Sequence, residues 1–330
     1  MPLILGAQSA VSTGFSVDNS SRWNTEGRME RDFVAGDPDT WTFSVWLKRG
    51  LVTQNYPKVV QGVDPAVAAD NADTSLQFRT NDIIDFGNWN SGDDGTKYTD
   101  AMYRDIASWF HVVIIWDSGN GTPADRMQVW VNGVRITSFG TDTDPDLNQD
   151  TNFNKASPQC TMHLGAHFGR DSNGRWNGYM AEVAYVDGTV YTASDFGEFN
   201  EESPTIWQPK DFAGDITWGN NGLYLDFKDS ANLGADVSGN GNDLTESGFT
   251  AADQATDSPT NNFCTMNNLD NFYLAGTFSE GNNQVVIANG IKTYATGTLG
   301  VSAGKWYWEV KMSAYTGANS DEDRKSTRLN

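Results

Sequence analysis

Two segments of alternating side chains, each ending in a tight reversal, constrain the fold of this chain most. In residues 126–135 apolar side chains recur at every second position, and Asn132–Gly133 supplies the two positive-φ positions that a type I′ turn requires. In residues 174–188 successive side chains point to opposite faces until Asp187–Gly188 ends the run. The first segment therefore predicts a β-hairpin, and the second predicts a long strand.

Composition favours an all-β fold for the whole chain. Of 330 residues, 12% are aromatic, Gly and Asn interrupt the apolar runs at short intervals, and no helical periodicity persists over three turns. Residues 40–48 are apolar at the odd-numbered positions, which we expect to face a core. Residues 109–117 are apolar on both faces and therefore predict an inner strand.

Charge and cysteine content exclude several classes of protein. The chain carries 43 acidic and 22 basic residues, a formal net charge of −21, which repels nucleic acids and anionic bilayers. The two cysteines, Cys160 and Cys264, cannot form a disulfide framework. Residues 1–8 lack a basic region and have only a short apolar run, so we expect neither a signal peptide nor a membrane-inserted segment.

A shift in composition divides the chain. Residues 1–228 predict one β-domain, and residues 229–262, rich in Gly, Asn and Asp, predict a linker. Residues 263–322 predict a second β-domain, including a strand at 304–312. Residues 323–330 look foreign to the acidic, aromatic chain before them and match the translation of a common sequencing adapter, so we expect them not to belong to the native protein.

Three motifs resemble a known fold family. Trp109-Phe-His111, Val129-Trp-Val-Asn-Gly-Val134 and Gly178-Tyr-Met-Ala-Glu-Val183 together resemble laminin-G-like, concanavalin A-like domains over about residues 14–228. The resemblance implies an antiparallel jelly-roll β-sandwich. The segment 304–310 resembles an early strand of an SPRY domain, which implies a second, truncated β-sandwich. The order of these parts is similar to tail-fibre and virion structural proteins of marine bacteriophages.

The sandwich class also includes β-glucanases, so a hydrolase must be considered. Those enzymes resemble one another in a Glu-x-Asp-x-(x)-Glu strand, whose carboxylates share one face. Here Glu182 is followed by Ala184 in place of the central Asp, and Asp187 falls on the opposite face. The pattern predicts no enzyme, with Glu182 as a polar position at a sheet rim. His111, within an apolar strand, is predicted to be buried and structural.

One acidic run offers a candidate metal site. Asp142, Asp144 and Asp146 alternate as the oxygen ligands of calcium loops do, although the run lacks the central Gly and the distal Glu of an EF-hand. The run is therefore either a solvated loop or a Ca²⁺ site.

Two tryptophans beside amide side chains are candidates for glycan binding. An exposed ring packs on the apolar face of a sugar, and neighbouring Asn side chains bond its hydroxyls. Trp89 with Asn90, and Trp176 with Asn177, show this arrangement. The alternative is that both rings cover the ends of the sandwich.

These observations predict a non-enzymatic carbohydrate-binding or adhesion module. The resemblance implies a place in a phage tail fibre or virion assembled in the host cytoplasm, with host-surface glycan and other virion proteins as partners. It also implies a homo-oligomer, a trimer in a tail fibre. The alternatives are a structural spacer or oligomerisation module without a ligand and a polysaccharide depolymerase.

Overall fold

A computed structural model provides the coordinates of the protein. The structure describes residues 14–24, 26–67, 72–90, 92–169, 174–272, 276–287 and 294–311.

The described residues form 22 short strands and little helix. The first eleven strands are β1 (Ser20–Trp23), β2 (Arg28–Asp32), β3 (Thr40–Arg49), β4 (Lys58–Val63), β5 (Ala72–Phe78), β6 (Ile83–Asn90), β7 (Asp93–Met102), β8 (Phe110–Asp117), β9 (Met127–Val131), β10 (Val134–Arg135) and β11 (Phe139–Thr143). The others are β12 (Thr161–Leu164), β13 (Gly178–Asp187), β14 (Gly197–Phe199), β15 (Trp207–Pro209), β16 (Leu223–Leu225), β17 (Thr245–Ser247), β18 (Gln254–Ala255), β19 (Met266–Phe272), β20 (Thr277–Ser279), β21 (Gln284–Val286) and β22 (Tyr294–Gly297). The single α-helical turn of the described chain is α1 (Ala193–Phe196), and two 3-10 turns lie at Pro123–Asp125 and Ala251–Asp253.

Two eight-stranded sheets account for most of these strands. The first sheet has the order β10-β9-β8-β3-β13-β1-β18, with β16 also paired to β13. The second has the order β11-β7-β6-β5-β4-β12-β2-β17. All their strand pairs are antiparallel, and one apolar core lies between the sheets. The predicted all-β, antiparallel sandwich is confirmed.

The core forms as the alternation predicts. Trp41, Phe43, Val45 and Leu47 of β3 all lie in it, and Phe86 of the second sheet packs on Trp41 with ring centroids 5.8 Å apart. Strand β8 lies between β3 and β9 and is buried on both faces, as expected for an inner strand.

The predicted hairpin is confirmed at β9 and β10. Asn132 and Gly133 adopt φ values of 48° and 76°, as a type I′ turn requires. The uniform alternation predicted for β13 is wrong, because a β-bulge lies between Ala181 and Ala184. Glu182 sits in this bulge with φ of 49°. The inserted residue places Met180 and Val183 on the same, core-facing side.

The outer face of the first sheet is covered by a second apolar layer. Phe196 of α1, Phe212 and Trp218, together with Tyr224 of the sheet's own strand β16, form an apolar cluster with Val113, Ile115, Ala184 and Val186. We call the segment 191–224 that supplies them the covering layer. Strands β8 and β13 of the first sheet are therefore buried on both faces.

The predicted linker at 229–262 is wrong, because the segment is part of the sandwich. Strand β17 pairs with β2 at the edge of the second sheet, and β18 pairs with β1 at the edge of the first. The buried Asp257 carboxylate also accepts a 2.7 Å hydrogen bond from Lys48 Nζ. The segment was misread because its Gly-rich and Asn-rich turns outweigh its very short strands.

Residues 263–311 form two small two-stranded sheets, β19-β22 and β20-β21. They pack on the first sheet: Asn283 Nδ2 donates to Tyr179 Oη at 2.8 Å, and Asn282 Nδ2 donates to the Gly50 carbonyl. Residues 304–311 form no strand and are exposed, so the strand predicted there is wrong. The described residues of this region build no second sandwich. The predicted adapter translation at 323–330 lies outside the described residues.

Candidate functional site

The outward face of the second sheet carries a cavity of about 370 Å³, which we call the outer cavity. It lies over strands β4 to β7. Its lining residues are Tyr56, Lys58, Asp73, Ser75, Gln77, Arg79, Asp85, Gly87, Asn88, Trp89, Thr96, Tyr98 and His167.

Strand register explains why a cavity forms here. Three outward-facing rows cross β5, β6 and β7, namely Gln77-Asp85-Tyr98, Ser75-Gly87-Thr96 and Asp73-Trp89-Asp93. The two outer rows are four residues apart along the strands, or about 13 Å. The middle row holds the smallest side chains, so it forms a floor between two taller walls.

Gly87 is the centre of this floor. A Cβ atom added there would lie in ordinary van der Waals contact, 3.6 Å from Asp85 Oδ1 and 3.7 Å from Thr96 Oγ1, so a side chain would fit at this position. The cavity therefore depends on the absence of a side chain at position 87.

Trp89 forms one wall and is 43% exposed. The flanking amides hold the backbone: Asn88 Nδ2 donates to the Asp150 carbonyl, and Asn90 Oδ1 accepts from Asn152 Nδ2 at 3.0 Å. The structure thus places Trp89 at the cavity, and its role in ligand binding stays a prediction. Asn90 lies next to it but does not line the cavity.

A buried lysine lies at the β4 side of the cavity. Lys58 Nζ forms an ion pair with Asp73 and donates to Ser75 Oγ at 2.8 Å. The other carboxylate oxygen, Asp73 Oδ1, is buried without a hydrogen-bond partner. This orphaned oxygen can accept a hydrogen bond from a ligand that reorders the site.

The opposite wall contains a second ion pair. Arg79 Nη1 lies 3.1 Å from Asp85 Oδ2, and the guanidinium lies over the rings of Tyr98 and Tyr56, 4.3 and 5.2 Å from their centroids. Burial raises the pKa of Asp85 to about 6, against the opposing effects of Gln77, Lys58 and Arg79. Burial alone would lower the pKa of Arg79, but Asp85 and the two tyrosines outweigh it, so that pKa is raised.

The prediction that Trp176 is an exposed sugar-binding ring is wrong. Its side chain is fully buried in the core between the sheets, where its ring lies 5.6 Å from that of Phe78. Asn177 is also buried, and its backbone carbonyl accepts from Gly50 N at 2.9 Å. Neither residue can reach a ligand in the outer cavity.

The acidic run that is a candidate for calcium binding lies beside a buried lysine. Lys97, buried on β7, forms ion pairs with Asp142 and Asp144, the latter at 2.9 Å. Asp146 is exposed and does not join them. Across the described residues, no group of three or more His, Cys, Asp or Glu side chains is placed to hold a metal ion.

The predicted structural role of His111 is confirmed. It is buried, accepts a 3.1 Å hydrogen bond at Nδ1 from Trp207 Nε1, and lies 2.8 Å from Ser44 Oγ through Nε2. Because Nδ1 accepts, Nε2 carries the proton and donates to Ser44. Burial lowers the pKa of His111 to about 3.

The placement of Glu182 at a sheet rim is wrong. Its side chain is buried beneath the covering layer and accepts a 2.5 Å hydrogen bond from Tyr224 Oη. Burial raises the pKa of Glu182 to about 7. The carboxylate lies on the first sheet, whereas the outer cavity lies on the second.

Sequence reasoning missed the charged residues of the cavity. Lys58, Arg79 and Asp85 lie in or beside weakly alternating strands, and nothing in the sequence shows that these strands are neighbours. The available signal was the polar set at alternate positions 73, 75 and 77, opposite apolar Leu76 and Phe78.

The two packed antiparallel sheets define a concanavalin A-like β-sandwich, the architecture shared by lectins and glucanases. The chain belongs to the Laminin_G_3 family, described as the concanavalin A-like lectin/glucanases superfamily, whose model matches residues 19–194. No curated protein matches the sequence.

Several solved structures are similar at low sequence identity. A candidate carbohydrate binding protein from Bacteroides ovatus is 13% identical with a TM-score of 0.46, and the match covers 71% of this chain and 58% of that one. A SAP-like pentraxin from Limulus polyphemus is 16% identical with a TM-score of 0.34 and coverages of 55% and 82%. Tailspike protein 2 of bacteriophage CBA120, as its enzymatically active domain, is 11% identical with a TM-score of 0.35 and coverages of 51% and 25%. The chain thus spans less than two thirds of the Bacteroides protein.

The described residues contain no helix that is long and apolar enough to cross a membrane.

Proposed function

We propose that this chain is a carbohydrate-binding module and that glycan binds in the outer cavity. The observation that carries the proposal is the cavity itself, in which the exposed ring of Trp89 stands beside a floor of short polar side chains. Sugar recognition needs both parts, because a ring covers the apolar face of a pyranose and polar groups bond its hydroxyls.

The chemistry of the floor supports this ligand class. Ser75 and Thr96 present hydroxyls, and Gln77 presents an amide whose Nε2 donates to Asp85 at 2.8 Å. Thr96 Oγ1 already donates to Asp93 Oδ1 at 2.6 Å, and Ser75 Oγ already accepts from Lys58, but each oxygen keeps a lone pair that can accept from a sugar hydroxyl. The volume of about 370 Å³ lies at the small end of the range for ligand cavities, which suits one or two sugar rings better than a long chain segment.

The carboxylate spacing favours binding over retaining hydrolysis. Asp73 and Asp85 lie in the two outer rows, about 13 Å apart along the strands, whereas retaining glycosidases hold their carboxyl groups about 5.5 Å apart. Each is also held by a cation. Release of reducing ends from capsule or lipopolysaccharide by the full chain would instead support a depolymerase.

The proposal is tested by glycan-array binding of the full chain and two cavity variants. Gly87→Val fills the floor without backbone strain, because the glycine does not have a positive φ, and we expect it to abolish binding. Trp89→Ala removes the wall. The matched controls are Gly121→Val, at an open position, and Trp306→Ala, at another exposed tryptophan. Equal binding by the cavity and control variants would place the ligand elsewhere, and no binding by wild type would favour the spacer.

The setting that we propose for the module is a phage tail fibre or virion surface, with a host-surface glycan as ligand and other virion proteins as neighbours. Its support is the resemblance of the sequence to virion structural proteins, from which the described residues depart at the predicted linker and at the SPRY-like strand. Adjacent genes for tail or baseplate proteins at the source locus are the expected finding, and a locus of metabolic genes would contradict it. A tail fibre also predicts a trimer by light scattering, three times the 36.2 kDa chain.

A further inference from the structure

The charges of the outer cavity cancel within it. Lys58 pairs with Asp73, and Arg79 pairs with Asp85, so both cations that line the cavity already have an anionic partner. Lys58 is 2% exposed, and Asp85 is 4% exposed. The cavity therefore offers a ligand polar groups and an aromatic wall but no uncompensated charge.

A charged ligand would disturb this balance at a cost. A carboxylate, sulfate or phosphate placed beside Lys58 or Arg79 must compete with Asp73 or Asp85, and the displaced carboxylate would remain in a largely buried position without its partner. The net charge of −21 adds a long-range repulsion of anions, which salt screens only in part.

A cationic amino sugar is disfavoured for a related reason. Its ammonium would approach the orphaned oxygen of Asp73, but the same carboxylate already binds the Lys58 ammonium. Two like charges would then share one anion. A sugar hydroxyl can donate to Asp73 Oδ1 without that repulsion.

We infer that the outer cavity selects uncharged sugars over sugars that carry a carboxylate, sulfate, phosphate or free amine. This inference rests on the proposed function of the same site. The two ion pairs thereby acquire a role in specificity. Each cation is already neutralised by a carboxylate of the protein, so an ionic ligand gains no unpaired charge to bind.

The test is isothermal titration calorimetry of the full chain at pH 7.5, where Asp85 is ionised. The probes are methyl glycosides of glucose, galactose, mannose and N-acetylglucosamine, compared with glucuronate, galacturonate, N-acetylneuraminate and glucosamine. We expect at least one neutral glycoside to bind and its charged counterpart to bind at least about tenfold more weakly. The affinity for the neutral sugar should change less than about twofold on adding salt, because no net charge is neutralised.

Charge variants test the cause. Asp85→Asn keeps an oxygen that can accept from Gln77 but leaves the Arg79 charge uncompensated. Asp73→Asn leaves the Lys58 charge uncompensated. Each folded variant should bind uronates about tenfold more tightly than wild type does. Asp146→Asn makes the same change in net charge at an exposed position outside the cavity and should have no effect.

The outcomes separate the inference from the proposed function. A wild-type chain that binds a uronate or sialate as tightly as its neutral counterpart, with binding lost in Gly87→Val, overturns the inference and supports the proposed site. Folded Asp73→Asn and Asp85→Asn chains with unchanged uronate affinity also overturn it. A wild-type chain that binds none of the probes overturns both.

Discussion

The outer faces of the two sheets differ in whether another part of the chain covers them. The outer face of the first sheet lies under the covering layer of residues 191–224, whereas the outer face of the second carries the outer cavity. Both faces contain ionisable groups. Under the covering layer, His111 and Glu182 are buried and hydrogen-bonded to neutral side chains, but in the cavity the charged side chains are paired with one another.

Lys58 and Asp85 are as buried as His111 and Glu182, so the role of a polar side chain in this fold depends on whether its sheet face is covered. The covered groups cannot meet a ligand, so their shifted pKa values act on stability. The cavity opens to solvent beside the exposed Trp89 and the half-buried Gln77, Arg79 and Tyr98, so its side chains can act on a ligand. The predictions below test this division, beginning with the largest expected effect.

Acid should destabilise the protein through His111. The unfolded chain takes up a proton at this residue below about pH 6.5, whereas the folded chain does so only near pH 3. Stability is therefore lost as the pH falls from 6.5 to 3, by up to about 5 kcal/mol. Urea unfolding at several pH values should show a shallower loss for His111→Gln than for wild type, and equal slopes would contradict this role.

Removal of a ring from the covering layer should destabilise the fold. Phe212 is 2% exposed and packs on Phe196 and Tyr224 with ring centroids 5.2 and 4.9 Å apart. Phe212→Ala is expected to cost about 4 kcal/mol, measured by denaturant unfolding. A change below about 1 kcal/mol would show that the layer is not part of the cooperative fold.

Ionisation of Glu182 should destabilise the protein as the pH rises towards neutrality. Its pKa is raised from 4.5 to about 7 in the folded chain, so stability falls as the pH rises from 4.5 to 7. The expected loss is about 3 kcal/mol. Glu182→Gln keeps an acceptor for Tyr224 Oη and should abolish this part of the pH dependence. A variant that retains the wild-type profile would assign the effect to another group.

On the outer face of the second sheet, Trp89 should matter for sugar binding and not for stability. Because this ring is 43% exposed, Trp89→Ala should change the free energy of unfolding by less than about 1 kcal/mol. It should nevertheless weaken sugar binding by about tenfold, the value of one aromatic contact. Calorimetry and urea unfolding of the same preparation measure both, and a large stability loss without a binding loss would remove Trp89 from the site.

The sequence predicts the strands that alternate cleanly. Strands β3, β8 and β9 were predicted because their core positions are apolar without exception. Strand β7 was missed because Lys97 interrupts its apolar alternation. Lys97 pairs with core-facing Phe86 and therefore points inward, where carboxylates distant in sequence compensate its charge. The bulge in β13 was also missed, since it depends on the φ of one residue, Glu182.

The candidate site could be predicted only in part, as the two candidate tryptophans show. Trp89 and Trp176 have the same local signal, a ring beside an amide, yet one is exposed and the other lies in the core. Exposure depends on which face of which sheet a residue occupies, and strand register sets that face. The pairing of Asp85 with Tyr98 across β6 and β7 follows from the same register.

The contribution of β17 and β18 to the two sheets bears on how the chain acquires its structure during synthesis. Strands β1 and β2 emerge from the ribosome long before their partners β18 and β17, which lie more than 200 residues later in the chain. Until those partners emerge, both early strands expose unpaired backbone, the template for aggregation. Fragments that end at residue 228 should therefore aggregate, and fragments that extend through residue 262 should remain in solution.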